Sequence, residues 1–202
     1  MLQKIAYLIT ALLHPLLLTI YAVIYVLWGN TMWCVLPTSY KVVTTLYVSL
    51  GISLLPLISV VLLYIKHNFK GLDMTETRDR MIPLVFTAIS SIITYHFITS
   101  YVAVPMPIIR MVQAQCVSTI VACIVTPFWR ISLHMIACGA LVVFTYIVGM
   151  SNGIDFYREA MAVFAITGFV AWARLYVQAH TPLQLVGGFV LGFSAMYMMT
   201  IF

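Results

Sequence analysis

Long apolar runs alternate along the chain with short polar connections. The runs fall at about residues 8–29, 42–65, 82–103, 108–127, 132–149, 158–178 and 183–201. Each is close to the roughly 20 residues that carry a helix across a hydrocarbon layer about 30 Å thick. Lipid offers backbone N–H and C=O groups no partner, so a crossing segment satisfies them internally as a helix. Strands of a barrel would instead alternate apolar and polar positions over about ten residues, whereas these runs are unbroken. The pattern predicts an all-α polytopic membrane bundle of six or seven helices, one domain over residues 1–202. His14-Pro15 interrupts the first run. Proline lacks a backbone donor and kinks or ends a helix. The first span therefore either bends at this pair or begins there, with residues 1–13 lying in the interface.

Composition sharpens the picture. Of 202 residues, 63% are hydrophobic and 7% charged, against about 25% charged in an ordinary soluble domain. Seven spans use up the length, which excludes a sizeable soluble domain. The net charge of +5 comes from Lys and Arg scattered over the connections. They form no basic run or stripe, so nucleic acid is not an expected partner and anionic membrane lipids are. Cys34, Cys116, Cys123 and Cys138 stand alone in apolar surroundings and read as small hydrophobes rather than a disulfide framework. The first apolar run continues past Trp28 without a small-residue cleavage site, so it is expected to be retained.

Polar residues concentrate in the connections 29–41, 66–80, 105–107, 127–130, 150–158 and 173–181. With seven crossings, the 66–80 loop, the Arg130 junction and the 174–180 segment are each two spans apart and share one membrane face. Arg78, Arg80, Arg130, His134, Arg174 and His180 then gather at one end of the bundle, with Asp155 and Glu159 at the other. A pocket lined by Arg and His at the water boundary calls for an anion. Phosphate suits it, because the planar guanidinium fork matches phosphate oxygens.

Three stretches carry the candidate chemistry. In Arg174 to Gln184, Thr181 can cap the last helix, Pro182 fits its first turn, and Gln184 completes a capping box. His180 then precedes a helix N-terminus, where amides and the macrodipole favour an anion, and it could attack phosphorus. Arg174 and His180 would equally serve as headgroup anchors. In Trp129-Arg130-Ile131-Ser132-Leu133-His134, a hydroxyl can bind a phosphate oxygen and an imidazolium can protonate a leaving alkoxide; Arg130 and Trp129 are also ordinary interfacial anchors. The third stretch, Asp73 to Pro83, holds Glu76, Arg78, Asp79 and Arg80 and on its own reads as a solvated loop with internal ion pairs. His14 and His96 match no pattern, and His96 reads as a core histidine bonded to Ser or Thr on a neighbour. Gly188 and Gly192 form a small-xxx-small pair for close helix packing.

Together these stretches resemble the type-2 phosphatidic acid phosphatase superfamily, membrane relatives of the vanadium haloperoxidases. Arg174 and His180 keep the spacing of that family's third block, and Ser132 and His134 keep the Ser-x-His of its second. The resemblance is closest to a short bacterial branch with Arg-x-Arg-x-x-Pro, Trp-Arg/Lys-Ile-Ser-x-His and Ala-His-Thr-Pro-x-Gln. It implies that His180 is a nucleophile forming a phosphohistidine and His134 the general acid. Arg174, Ser132, Arg130 and one or both of Arg78 and Arg80 would cradle the phosphate, with no metal or other cofactor. Gln184 stands where the family has an aspartate that orients the nucleophilic histidine. An amide can accept a hydrogen bond but brings no charge. Either Asp79 or Glu76 substitutes, or activity is weak or absent. Ala173 and Leu133 also replace family Ser and Gly, and no Arg-Pro is present.

The expectation is a lipid phosphatase of a bacterial inner membrane. Phosphatidate, phosphatidylglycerol or phosphatidylinositol phosphates, polyprenyl diphosphates and lipid A phosphates are candidate substrates. Two rivals stand beside it: a non-catalytic lipid-phosphate binder or transporter, and a haem electron carrier using His14, His96, His134 and His180 as axial ligands. With the site residues set aside, Lys4, Lys66 and Lys70 on one face oppose Lys41, Arg110 and Arg158 on the other. The positive-inside rule thus selects neither orientation.

Overall fold

The structure is a computed structural model whose described residues are 1–66, 77–100, 103–153 and 155–201, with backbone alone described at 77–80. Its helices are α1 (Leu2–Leu12), α2 (Pro15–Trp28), α3 (Thr38–Ser49), α4 (Leu55–Lys66), α5 (Thr77–Ser100), α6 (Met106–Val125), α7 (Leu133–Asn152), α8 (Tyr157–Tyr176) and α9 (Pro182–Ile201). No strand occurs among the described residues. Helices α3 and α4 form one rod, Thr38–Lys66. A widened π turn, Leu50–Leu54, joins them. The cause is Pro56 just beyond it, whose ring would clash with the carbonyl four residues back in a regular helix.

Among the described residues, six helices are long and apolar enough to cross a membrane, and α1 with α2, bent by 54°, makes a seventh when the pair is taken as one broken span. The chain is an integral membrane protein. The bend falls at His14-Pro15, as expected from proline at the first position of α2. The two ends of α2 lie at opposite ends of α7. His14 packs edge-on against His134 in the first turn of α7, and the Met32 amide donates to the side chain of Asn152 at its last residue. Twenty helical residues rise about 30 Å, so residues 14–32 traverse the bundle by themselves. Helix α1, on the other side of the bend, packs on α8.

Helix α7 is the most buried span and contacts α2, α6, α8 and α9. Its tightest neighbour is α9. Lipid tails are as apolar as the side chains, so helices associate in a membrane through close packing, and glycines permit it here. A Cβ on Gly188 would meet the Ser132 carbonyl, and one on Gly192 would collide with the Ile136 carbonyl. The largest core cluster, including Leu27, Ile52, Ile108, Phe144 and Met196, fills the half of the bundle remote from Arg130. The other half, where α7 and α9 begin, encloses a cavity.

Cys116 and Cys138 are buried, whereas Cys34 and Cys123 are only half-buried; all four are free thiols. His96 departs from expectation. It is exposed near the C-terminal end of α5, because its helical register turns it outward while Ser91 and Thr94 face inward.

Candidate functional site

The site is built on the starts of two helices tied together. Helix α9 opens with the expected capping box: the Thr181 amide donates to Gln184 Oε1 at 3.0 Å, and the Gln184 amide to Thr181 Oγ1 at 3.4 Å. The Ser132 amide donates to the Gln184 carbonyl at 3.3 Å, which joins the start of α7 to the start of α9. Ser132 is fully buried and its hydroxyl caps α7, accepting from the Met135 amide at 3.5 Å. These bonds bring His134 and His180 to the same end of the bundle.

A tight reversal between α8 and α9 completes the frame. The Gln178 amide donates to the Leu175 carbonyl at 2.9 Å and the Ala179 amide to the Arg174 carbonyl at 3.0 Å. Gln178 itself has φ 53°. This is a Schellman closure, in which the left-handed residue is usually glycine. Glutamine there is strained by about 1–2 kcal/mol, and the strain directs the chain straight from Arg174 to His180.

One cavity of about 750 Å³ is lined by Arg130, His134, Arg174 and His180, a size usual for small-ligand sites. The described residues of its lining include no carboxylate. His180 Nδ1 lies 3.1 Å from the Arg130 carbonyl oxygen. A carbonyl only accepts, so Nδ1 carries the proton and the neutral ring has its lone pair on Nε2. By the same logic His134, 9% exposed, donates from Nε2 to the Thr10 carbonyl at 3.3 Å, and its Nδ1 carries the lone pair.

Not every expected residue reaches the cavity. Ser132 and Gln184 are absent from its lining, both being engaged in capping. Arg78 and Arg80 lie in the first turn of α5, and their side chains, with those of Asp79 and of Lys70, Asp73 and Glu76, lie outside the described residues. Pro83, Leu84 and Thr87 further along α5 do line the cavity.

Two lining residues had no place in the motif pattern. The His14 ring stands 5.5 Å from that of His134 in a T-shaped pair, and Arg174 acts electrostatically on both. His14 Nδ1 accepts from the Leu16 amide at 3.4 Å as the N-cap of α2, so a neutral His14 carries its proton on Nε2. The second is Thr126, 5% exposed, whose Oγ1 has no hydrogen bond among the described residues. The helix-capping position of His14 before Pro15 was a usable signal for it; Thr126 had none.

Comparison of the chain with protein-family models, curated proteins and solved structures returned no match.

Proposed function

We propose that this protein is a membrane lipid phosphatase that releases inorganic phosphate from a lipid phosphomonoester or diphosphate at one rim of the bilayer, in a bacterial inner membrane by its resemblance. One observation carries the reading: three imidazoles and two guanidinium-bearing residues from separate stretches line a single cavity with no carboxylate among its described residues. Arg130 and Arg174 would bind phosphoryl oxygens and offset the charge that builds in the transition state. His180 Nε2 would attack phosphorus while the bond from phosphorus to the lipid oxygen breaks. His134 would hand its proton to that oxygen. Its Nε2–H is engaged with Thr10, so the donated proton sits on Nδ1 and the ring is imidazolium when the phosphate dianion is bound. Water then attacks the phosphohistidine, gives a proton back to His134, and leaves inorganic phosphate.

A second reading, a lipid-phosphate binder without turnover, is favoured by one feature. The proton on His180 Nδ1 meets a backbone carbonyl where the resembling family supplies a carboxylate, and a carbonyl orients an imidazolium without neutralising it. Phosphate release from phosphatidate, phosphatidylglycerol phosphate, polyprenyl diphosphate and lipid A phosphates, measured for the native protein and His180→Ala, separates the two. The phosphatase reading expects release from at least one lipid and its loss in the variant. Binding without release by the native protein contradicts it and supports the binder.

A further inference from the structure

The cavity extends well below its cationic mouth. Along α7 it reaches from His134 to Phe144, ten residues or about 15 Å, which is about half of the hydrocarbon thickness. Most of the deep wall is apolar, as a lipid tail requires. The hydroxyls on it are engaged within their own helices: Thr87 donates to the Pro83 carbonyl at 2.7 Å and Ser118 to the Gln115 carbonyl at 3.3 Å.

Gln115 is different. It is a half-buried residue midway along α6 and lines the cavity. Its Oε1 lies 3.3 Å from Thr19 Oγ1, sharing that hydroxyl's single proton with the Pro15 carbonyl at 3.1 Å, and this contact orients the amide. The Nε2–H donors make no hydrogen bond among the described residues. An amide without an acceptor inside a span is unfavourable, and an intramembrane polar group facing a cavity is a functional candidate. Thr19, its tether, stands five residues past His14 on α2, about 7–8 Å further down the helix. That is the depth at which a glycerol unit places its ester carbonyls below a phosphorus held at the mouth.

We propose that Gln115 donates to an acyl-ester carbonyl of the bound lipid, so that the site selects ester-linked glycerolipid phosphates over polyprenyl phosphates. A polyprenyl chain offers only hydrocarbon at that depth and leaves the amide unsatisfied. The inference rests on the phosphate-binding reading of the mouth.

Binding tests it without requiring turnover. The probes are non-hydrolysable phosphonate analogues of dioleoyl phosphatidate, of its dialkyl ether counterpart and of a polyprenyl phosphate, titrated in detergent onto the native protein, Gln115→Leu and Thr19→Val. The native protein should bind the ester about fivefold more tightly than the ether. Gln115→Leu should bind both with the affinity the native protein shows for the ether, and Thr19→Val should keep part of the difference. Equal native affinity for ester and ether overturns the inference alone, as does a preference that survives in Gln115→Leu. Failure of all three probes to bind overturns the phosphate reading of the mouth. Should Gln115→Leu not fold, the native ester and ether affinities still decide.

Discussion

Gln184→Ala separates capping from catalysis at the position where the resembling phosphatases have aspartate. In the structure Gln184 Oε1 holds the Thr181 amide, while the His180 ring is held by the Arg130 carbonyl. Alanine therefore removes half of a capping box and leaves the ring's partner in place. Losing a cap costs about 1 kcal/mol, and α9 is further pinned by its packing on α7, so the unfolding midpoint should fall by about 2–4 °C. Turnover on a lipid phosphate should fall by less than about tenfold. Were Gln184 the group that orients the nucleophile, the loss would approach the roughly 10⁴ that follows aspartate-to-asparagine replacement in a serine-protease triad. The assay is phosphate-release kinetics with thermal unfolding as the fold control. ¹⁵N NMR of labelled histidine adds the His180 tautomer, which should keep its proton on Nδ1. A drop of a thousandfold or more in a folded variant, or a changed tautomer, would refute the assignment of Gln184 to capping.

Three further outcomes follow from the same geometry. Gln178→Gly relieves the left-handed strain at the end of α8 and should stabilise the protein by up to about 1 kcal/mol, read as a raised unfolding midpoint; a lower midpoint contradicts it. Gly192→Ala drives a methyl group into the Ile136 carbonyl and should destabilise by about 2 kcal/mol or more, whereas Gly168→Ala, with nothing within 4 Å of the added Cβ, should be neutral or slightly stabilising. His14→Asn keeps an N-cap side chain and removes the ring packed edge-on against His134, so stability should hold within about 0.5 kcal/mol while phosphate release falls by up to about a hundredfold as His134 loses its positioning. His14→Ala should lose about 1 kcal/mol of stability as well, and unchanged release in both would remove His14 from the site.

The spans were legible because continuous apolar runs have one stable form in lipid. The expected 132–149 and 183–201 correspond to Leu133–Asn152 and Pro182–Ile201. Local chemistry was legible too: the Thr181–Gln184 box and the break at His14-Pro15 depend on neighbours in sequence. What escaped depends on tertiary partners. Ser132 reads as a phosphate ligand beside His134, yet the first residue before a helix also serves as its cap, and burial under α9 leaves it in that role. His14 gains meaning only when α2 lies along α7. The reversal at Gln178 carries no glycine to announce it, and the π turn at Leu50–Leu54 is forced by Pro56 without breaking the apolar run. For His96, an apolar stretch could not tell a lipid-facing side from an inward one.

Orthovanadate adopts the five-coordinate geometry of phosphoryl transfer, and an experimental structure of the native protein soaked with it tests the central claim most directly. Vanadium should lie in the cavity at the start of α7 bonded to His180 Nε2, with the Arg130 and Arg174 side chains on its equatorial oxygens and His134 beside the opposite apical oxygen. Vanadate bound elsewhere, or the two imidazoles too far apart to flank one vanadium, would contradict the account.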